Sequence, residues 1–103
     1  MVFEEIGQAY DDVRFTREEW FGGVKKEYAE KGISPFGQVP IVSVGEHQHM
    51  AQTNAIYRHF AKLHNLYGDD ALAQYECDLI IDGVEDWRRY VLLLLLFFFY
   101  FKK

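Results

Sequence analysis

Apolar and polar positions alternate in several distinct rhythms along this chain, and each rhythm predicts an element. Val2, Phe3 and Ile6 share one face of a helix that Gly7 stops after barely two turns. Val13 and Phe15 alternate with polar neighbours between Tyr10 and Thr16, which predicts a half-buried strand. Residues 17–37 mix charges, aromatics and four glycines, with Trp20, Val24 and Tyr28 at helical spacing, and read as loop plus a short helix. Val39-Pro-Ile-Val-Ser-Val44 closes at Gly45-Glu46 and is answered by His47–Ala51, which predicts a hairpin with Pro40 at a strand start or edge. Thr53 offers an N-cap before Ala55, Ile56, Phe60 and Leu63, a helix that stops near Leu66-Tyr67-Gly68.

A second helix is predicted from about Asp70. At 100° per residue, Cys77, Ile80, Ile81, Val84, Trp87 and Val91 fall on one arc and Asp78, Asp82, Glu85 and Asp86 on another. The order of elements is an α/β layout followed by the beginning of something all-helical. The amphipathic pattern ends at Val91–Phe101, eleven apolar residues between Arg88-Arg89 and Lys102-Lys103. That run is too short to span a bilayer, which takes about 17–25 residues. A core helix end, an interfacial anchor and the edge of a damaged reading frame remain open for it. A helix apolar all round needs cover on every side, so either a partner buries this one or it aggregates.

Length and composition narrow the choice further. At 103 residues the chain is one domain at most by size, and its 50% hydrophobic and 26% charged content is that of a folded core. The net charge of −5, with no basic run longer than two, removes the electrostatic driving force for nucleic-acid binding. The single cysteine, Cys77, and the lack of a signal segment at the start point to the cytoplasm.

Few constellations carry chemistry. His47 and His49 share a strand face but have no third ligand at metal spacing, so exposed hairpin histidines are expected and no metal site. Cys77 lies on an apolar arc without a basic neighbour and reads as a packed thiol. Gly22-Gly23 lacks the surroundings of a phosphate loop. The acidic arc is a solvated face unless a cation lies alongside. At Gln52-Thr53-Asn54 the N3 position holds Ile56, so no carboxylate closes a capping box; a plain N-cap explains the segment, and an external carboxylate could occupy its free amides.

Four segments, taken together, resemble a known family. Pro35-Phe36-Gly37-Gln38-Val39-Pro40, Gln52-Thr53-Asn54-Ala55-Ile56-Tyr57-Arg58-His59, Leu66-Tyr67-Gly68 and Asp82-Gly83-Val84-Glu85-Asp86 stand in the order and spacing of cytosolic glutathione S-transferases of sigma and pi type. The resemblance covers about residues 1–90. It implies a thioredoxin-like glutathione-binding domain over 1–67, lacking its first strand, and over 68–103 the start of an all-helical domain ending in the apolar tail. It implies transfer of the glutathione thiol to electrophiles, with glutathione as substrate and no cofactor.

Carried over by position, the resemblance implies a cis bond before Pro40 and strand-like pairing of the Val39 backbone with the cysteinyl part of glutathione. Gln52 and Thr53 would hold the γ-glutamyl carboxylate, with Gln38 beside them. Asp86 would reach the γ-glutamyl amino group across a dimer, and Trp20 and Lys26 would approach the glycyl end. Phe36 and Arg58 would lie at the dimer interface, the partner being a second copy or a full-length relative. The family's thiol-activating tyrosine belongs to a strand before Met1, and none of the seven tyrosines here matches it. The chain is therefore expected to be a fragment with a partial glutathione site, inactive alone, with neither nucleic acid nor membrane as partner. The competing reading is a non-catalytic dimerising protein that uses Phe36 and the apolar tail.

Overall fold

The computed structural model describes residues 2–101 and divides the chain into two units, Met1–His64 and Asn65–Lys103. The first unit opens with α1 (Val2–Glu5). Gly7 ends it as expected: at φ 68° it lets the Gln8 N–H turn back to the Phe3 carbonyl at 2.9 Å, satisfying an orphan acceptor of the last turn.

Residues 8–16 form no strand, although Val13 and Phe15 alternate correctly. Alternation selects a face, but a strand also needs a neighbour for its N–H and C=O groups, and among the described residues only the later hairpin is a sheet. Val13 stays exposed, and Phe15 turns onto Trp20 and Tyr28, its ring centroid 6.2 and 5.8 Å from theirs.

From Arg17 to Glu30 the chain is more helical than expected: α2 (Arg17–Glu19) and α3 (Lys25–Glu30) are joined over Trp20–Val24 by a kink at Gly23, whose φ 162° and ψ −32° are not helical. Thr16 starts it with a capping box, its Oγ1 accepting from Glu19 N at 3.1 Å and its own N–H donating to the Glu19 carboxylate at 2.8 Å. The wide turn at Gly22-Gly23 re-aims the helix so that Trp20 and Tyr28 meet edge to face on one side.

The predicted hairpin is present. β1 (Ile41–Val44) pairs antiparallel with β2 (Gln48–Ala51), in the register Ile41↔Ala51 and Val42↔Met50. A two-stranded ribbon is marginal in water alone, and here one face is covered. Val42 and Met50 pack, with Val2 and Ile6, against a core of Phe3, Ile56 and Phe60. Phe60 comes from α4 (Thr53–Leu63), and the Phe3 ring meets it edge-on at 4.8 Å. Ile56 and Phe60 are four apart and so lie on one helix face, the one that closes on α1 and the hairpin.

The second unit is mostly α5 (Ala71–Phe101). Asp70 caps it, its carboxylate accepting from Ala73 N at 2.8 Å. The Tyr67 hydroxyl donates to Asp78 at 2.6 Å, which gives one member of the acidic arc a partner. No residue of α5 is buried; Ile80, Val84 and Trp87 on the apolar arc and every residue from Leu92 to Phe101 are exposed. Cys77 is a half-buried free thiol. Among the described residues no helix is long and apolar enough to cross a membrane.

Candidate functional site

Two irregular segments, one entering β1 and one leaving β2, build the site. The first is held by Ser34, the one buried polar side chain among the described residues; its Oγ accepts from Gln38 N at 3.1 Å and donates to Gln38 O at 3.2 Å. This double tie fixes the Pro35–Gln38 loop. Gly37 within it has φ 62°, so the position favours glycine by conformation, and the end of the flexible Lys25 side chain lies close to where a Cβ would be, 2.9 Å away at Cε. The Val39–Pro40 peptide is cis, as the resemblance implies, and leads directly into β1.

The second segment joins β2 to α4. Gln52 is the N-cap residue, with φ 72° and ψ 112°. This corrects the expectation that Thr53 caps the helix: Thr53 is its first helical residue, and no side chain caps the end. Positive φ in a residue with a Cβ costs about 1–3 kcal/mol, and such strain clusters where a backbone group has to be aimed. Gln52 and Thr53, at this turn, line the same cleft as Phe36 and Gln38–Pro40.

Between the segments lies a small open cleft of about 50 Å³, lined by Phe36, Gln38, Val39, Pro40, Ala51, Gln52 and Thr53. Its two ends differ chemically. At the α4 end, free N–H groups, the Thr53 hydroxyl and the positive end of the helix dipole favour a carboxylate. At the loop end, neither the N–H nor the C=O of Val39 has a hydrogen bond among the described residues, so Val39 offers an extended peptide one rung of strand pairing. A small ligand with a peptide unit a few bonds from a carboxylate satisfies both ends.

Of the residues singled out in the sequence, Gln38, Val39, Gln52 and Thr53 come together here, with Phe36 on the rim and 64% exposed. Trp20 does not line the cleft; it is packed with Phe15 and Tyr28. Lys26 points to Glu30 at 3.9 Å, whereas the neighbouring Lys25 lies against Gly37 and over the Phe21 ring, beside the cleft. No spacing rule in the sequence distinguishes the two lysines. Arg58 is half-buried on α4, and Asp86 is exposed on α5 in the other unit. His49 shares a hydrogen bond with Ser43 at 2.7 Å, while His47 lies in the hairpin turn and not on the strand.

A glycine-turned loop ending in a cis proline, a hairpin and a strained entry to a helix are consistent with a truncated thioredoxin-like fold. The chain is 36% identical over 87 residues to a glutathione S-transferase of Plasmodium falciparum (isolate 3D7), covering 84% of this chain and 40% of that protein. It is 31% identical to glutathione S-transferase 1 of Ascaris suum, covering 84% and 38%, and 34% identical to glutathione S-transferase 2 of Manduca sexta, covering 85% and 39%. The crystal structure of a major nematode-specific glutathione S-transferase from C. elegans superposes with a TM-score of 0.70 at 32% identity, covering 84% of this chain and 39% of that one. No protein-family profile matches. The chain belongs to the glutathione S-transferase family and spans about two fifths of the length of the relatives it matches.

Proposed function

We propose that this chain binds glutathione in the cleft between Val39 and Thr53, as the substrate-binding part of a glutathione S-transferase. The observation that supports the reading is the meeting, in one cleft, of a free backbone rung at Val39 before the hairpin and an uncapped helix end behind Gln52 after it. The γ-glutamyl carboxylate sits on the Thr53 hydroxyl and the first amides of α4. The cysteinyl unit pairs with Val39, and the glycyl carboxylate extends toward Lys25. Hydrogen bonds to a charged group contribute about 1.5–3 kcal/mol each, so the carboxylate end carries most of the affinity.

Holding glutathione is separate from activating it. Conjugation needs a donor beside the sulfur to favour the thiolate, and none of the seven tyrosines lines the cleft. Binding without rate acceleration is therefore the behaviour of the 103-residue chain, with conjugation, dimerisation through Phe36 and Arg58, and Asp86 acting across a dimer belonging to the assembled enzyme in the cytoplasm. Titration calorimetry with glutathione and with its analogue lacking the γ-glutamyl carboxylate tests this. Binding of the first and an affinity loss of about tenfold or more for the second are expected; equal affinities would contradict the carboxylate assignment.

A further inference from the structure

Beside the glutathione cleft stands an aromatic ring with no place in the core. Phe21 is 64% exposed and lies at the kink between α2 and α3. Lys25 Nζ is 5.5 Å from its ring centroid and the Arg17 guanidinium 5.7 Å, so residues four before and four after it bring two cations to one ring. The other lysines of α3 and its end have carboxylate partners, Lys26 with Glu30 and Lys31 with Glu27. Lys25 has no carboxylate partner among the described residues. Its ammonium reaches instead from the Phe21 ring to the Pro35–Gln38 loop, 3.7 Å from the place of a Cβ on Gly37.

We infer that Phe21 is a positioning residue: its ring holds the Lys25 ammonium beside the cleft, still fully charged, for the glycyl carboxylate of glutathione. This role rests on the glutathione reading proposed above and goes beyond it by naming the group that fixes where the lysine stands. A lysine free in solvent spreads its charge over many rotamers, and a ligand that uses it has to freeze the side chain. A neighbouring carboxylate would also hold the stem, but it would compensate the charge that an anionic ligand needs and would have to be displaced. A ring face attracts the cation through its quadrupole and leaves that charge uncompensated, with N–H donors still available to a ligand. Arg17 at the same ring adds positive charge there, which favours an anion further.

Calorimetry on the 103-residue chain with glutathione and with its glycyl monoethyl ester, which lacks the negative charge at that end, reads the effect. The wild type is expected to prefer glutathione about tenfold. Phe21→Leu, at an exposed position outside the core, is expected to lose about two- to fivefold in glutathione affinity and nothing for the ester. Phe21→Tyr keeps the ring face and restores the wild-type value. The ε-methylene protons of Lys25 give a readout that needs no ligand: an upfield ring-current shift in the wild type and in Phe21→Tyr, absent from Phe21→Leu. Equal losses for glutathione and ester in Phe21→Leu would reduce the ring to a structural part. Unchanged affinities in that variant, an unshifted Lys25, or a wild type that binds both ligands equally would overturn the inference and leave the cleft standing as the glutathione site. A wild type that shows the Lys25 shift and binds neither ligand would overturn the cleft assignment and, with it, the role given to Phe21.

Discussion

The two long helices, α4 and α5, make opposite uses of apolar residues. In α4, eleven residues bury Ile56 and Phe60 against α1 and the hairpin. In α5, thirty-one residues of far higher apolar content bury none. The difference lies in pattern and not in amount. Apolar residues four apart, bounded by polar ones, give α4 one face that fits one core, while the uninterrupted run in α5 has no preferred face to offer. Hydrophobicity drives burial only where a complementary surface exists.

The comparison breaks most sharply by truncation at one site in each helix. Phe60→Ala removes a ring that packs on Phe3 and is expected to destabilise the first unit by about 3–5 kcal/mol, read by urea denaturation. The same chemistry at Leu94, which is 68% exposed, is expected to stay within about 0.5 kcal/mol. Comparable losses at both sites would mean that the α5 run packs after all.

The next two effects concern the start of α4. Thr53→Ala leaves the core intact and is expected to weaken glutathione binding about tenfold, measured by calorimetry. Gln52→Gly relieves a positive φ and is expected to raise stability by about 1 kcal/mol in thermal melts while lowering glutathione affinity, because the amides it aims become mobile. A variant more stable and equally tight would show that the strain serves nothing.

The smallest effect lies at the C-terminal end of α3, where Lys31 is the C-cap. The hydrogen bond and charge of Glu27 raise the Lys31 pKa above its ordinary value of 10.5. A raised folded value means that the pair's contribution is complete below the ordinary lysine range and fades as pH climbs through the folded value, above 10.5. A pH series of melts on the wild type and Lys31→Gln checks it. The two curves are expected to converge only at the alkaline end.

Elements closed by local chemistry were legible in the sequence: the Gly7 stop, the hairpin around Gly45, α4, and α5 from Asp70. What the sequence obscured was non-local or a matter of one residue. The alternation at Val13 and Phe15 describes a strand face without telling whether a partner strand stands beside it. The helix start moves from Thr53 to Gln52 because a positive φ outside glycine has no local signal. Lys25 follows directly on a kink at Gly23 that no helical period anticipates. Thr16-Arg-Glu-Glu19, by contrast, is a readable capping box that could have extended the predicted helix. Gln38, Val39, Gln52 and Thr53 were singled out through the family resemblance, and the hairpin that joins their segments brings the four to one cleft.

The most direct test of the account is amide-resolved NMR of the 103-residue chain titrated with glutathione. The expected result is saturable shifts centred on the amides of Val39, Thr53 and Asn54, with Lys25 at the edge and Leu92–Phe101 unmoved. A well-dispersed spectrum in which those amides stay still while glutathione is added would contradict the assignment of this cleft as the glutathione site.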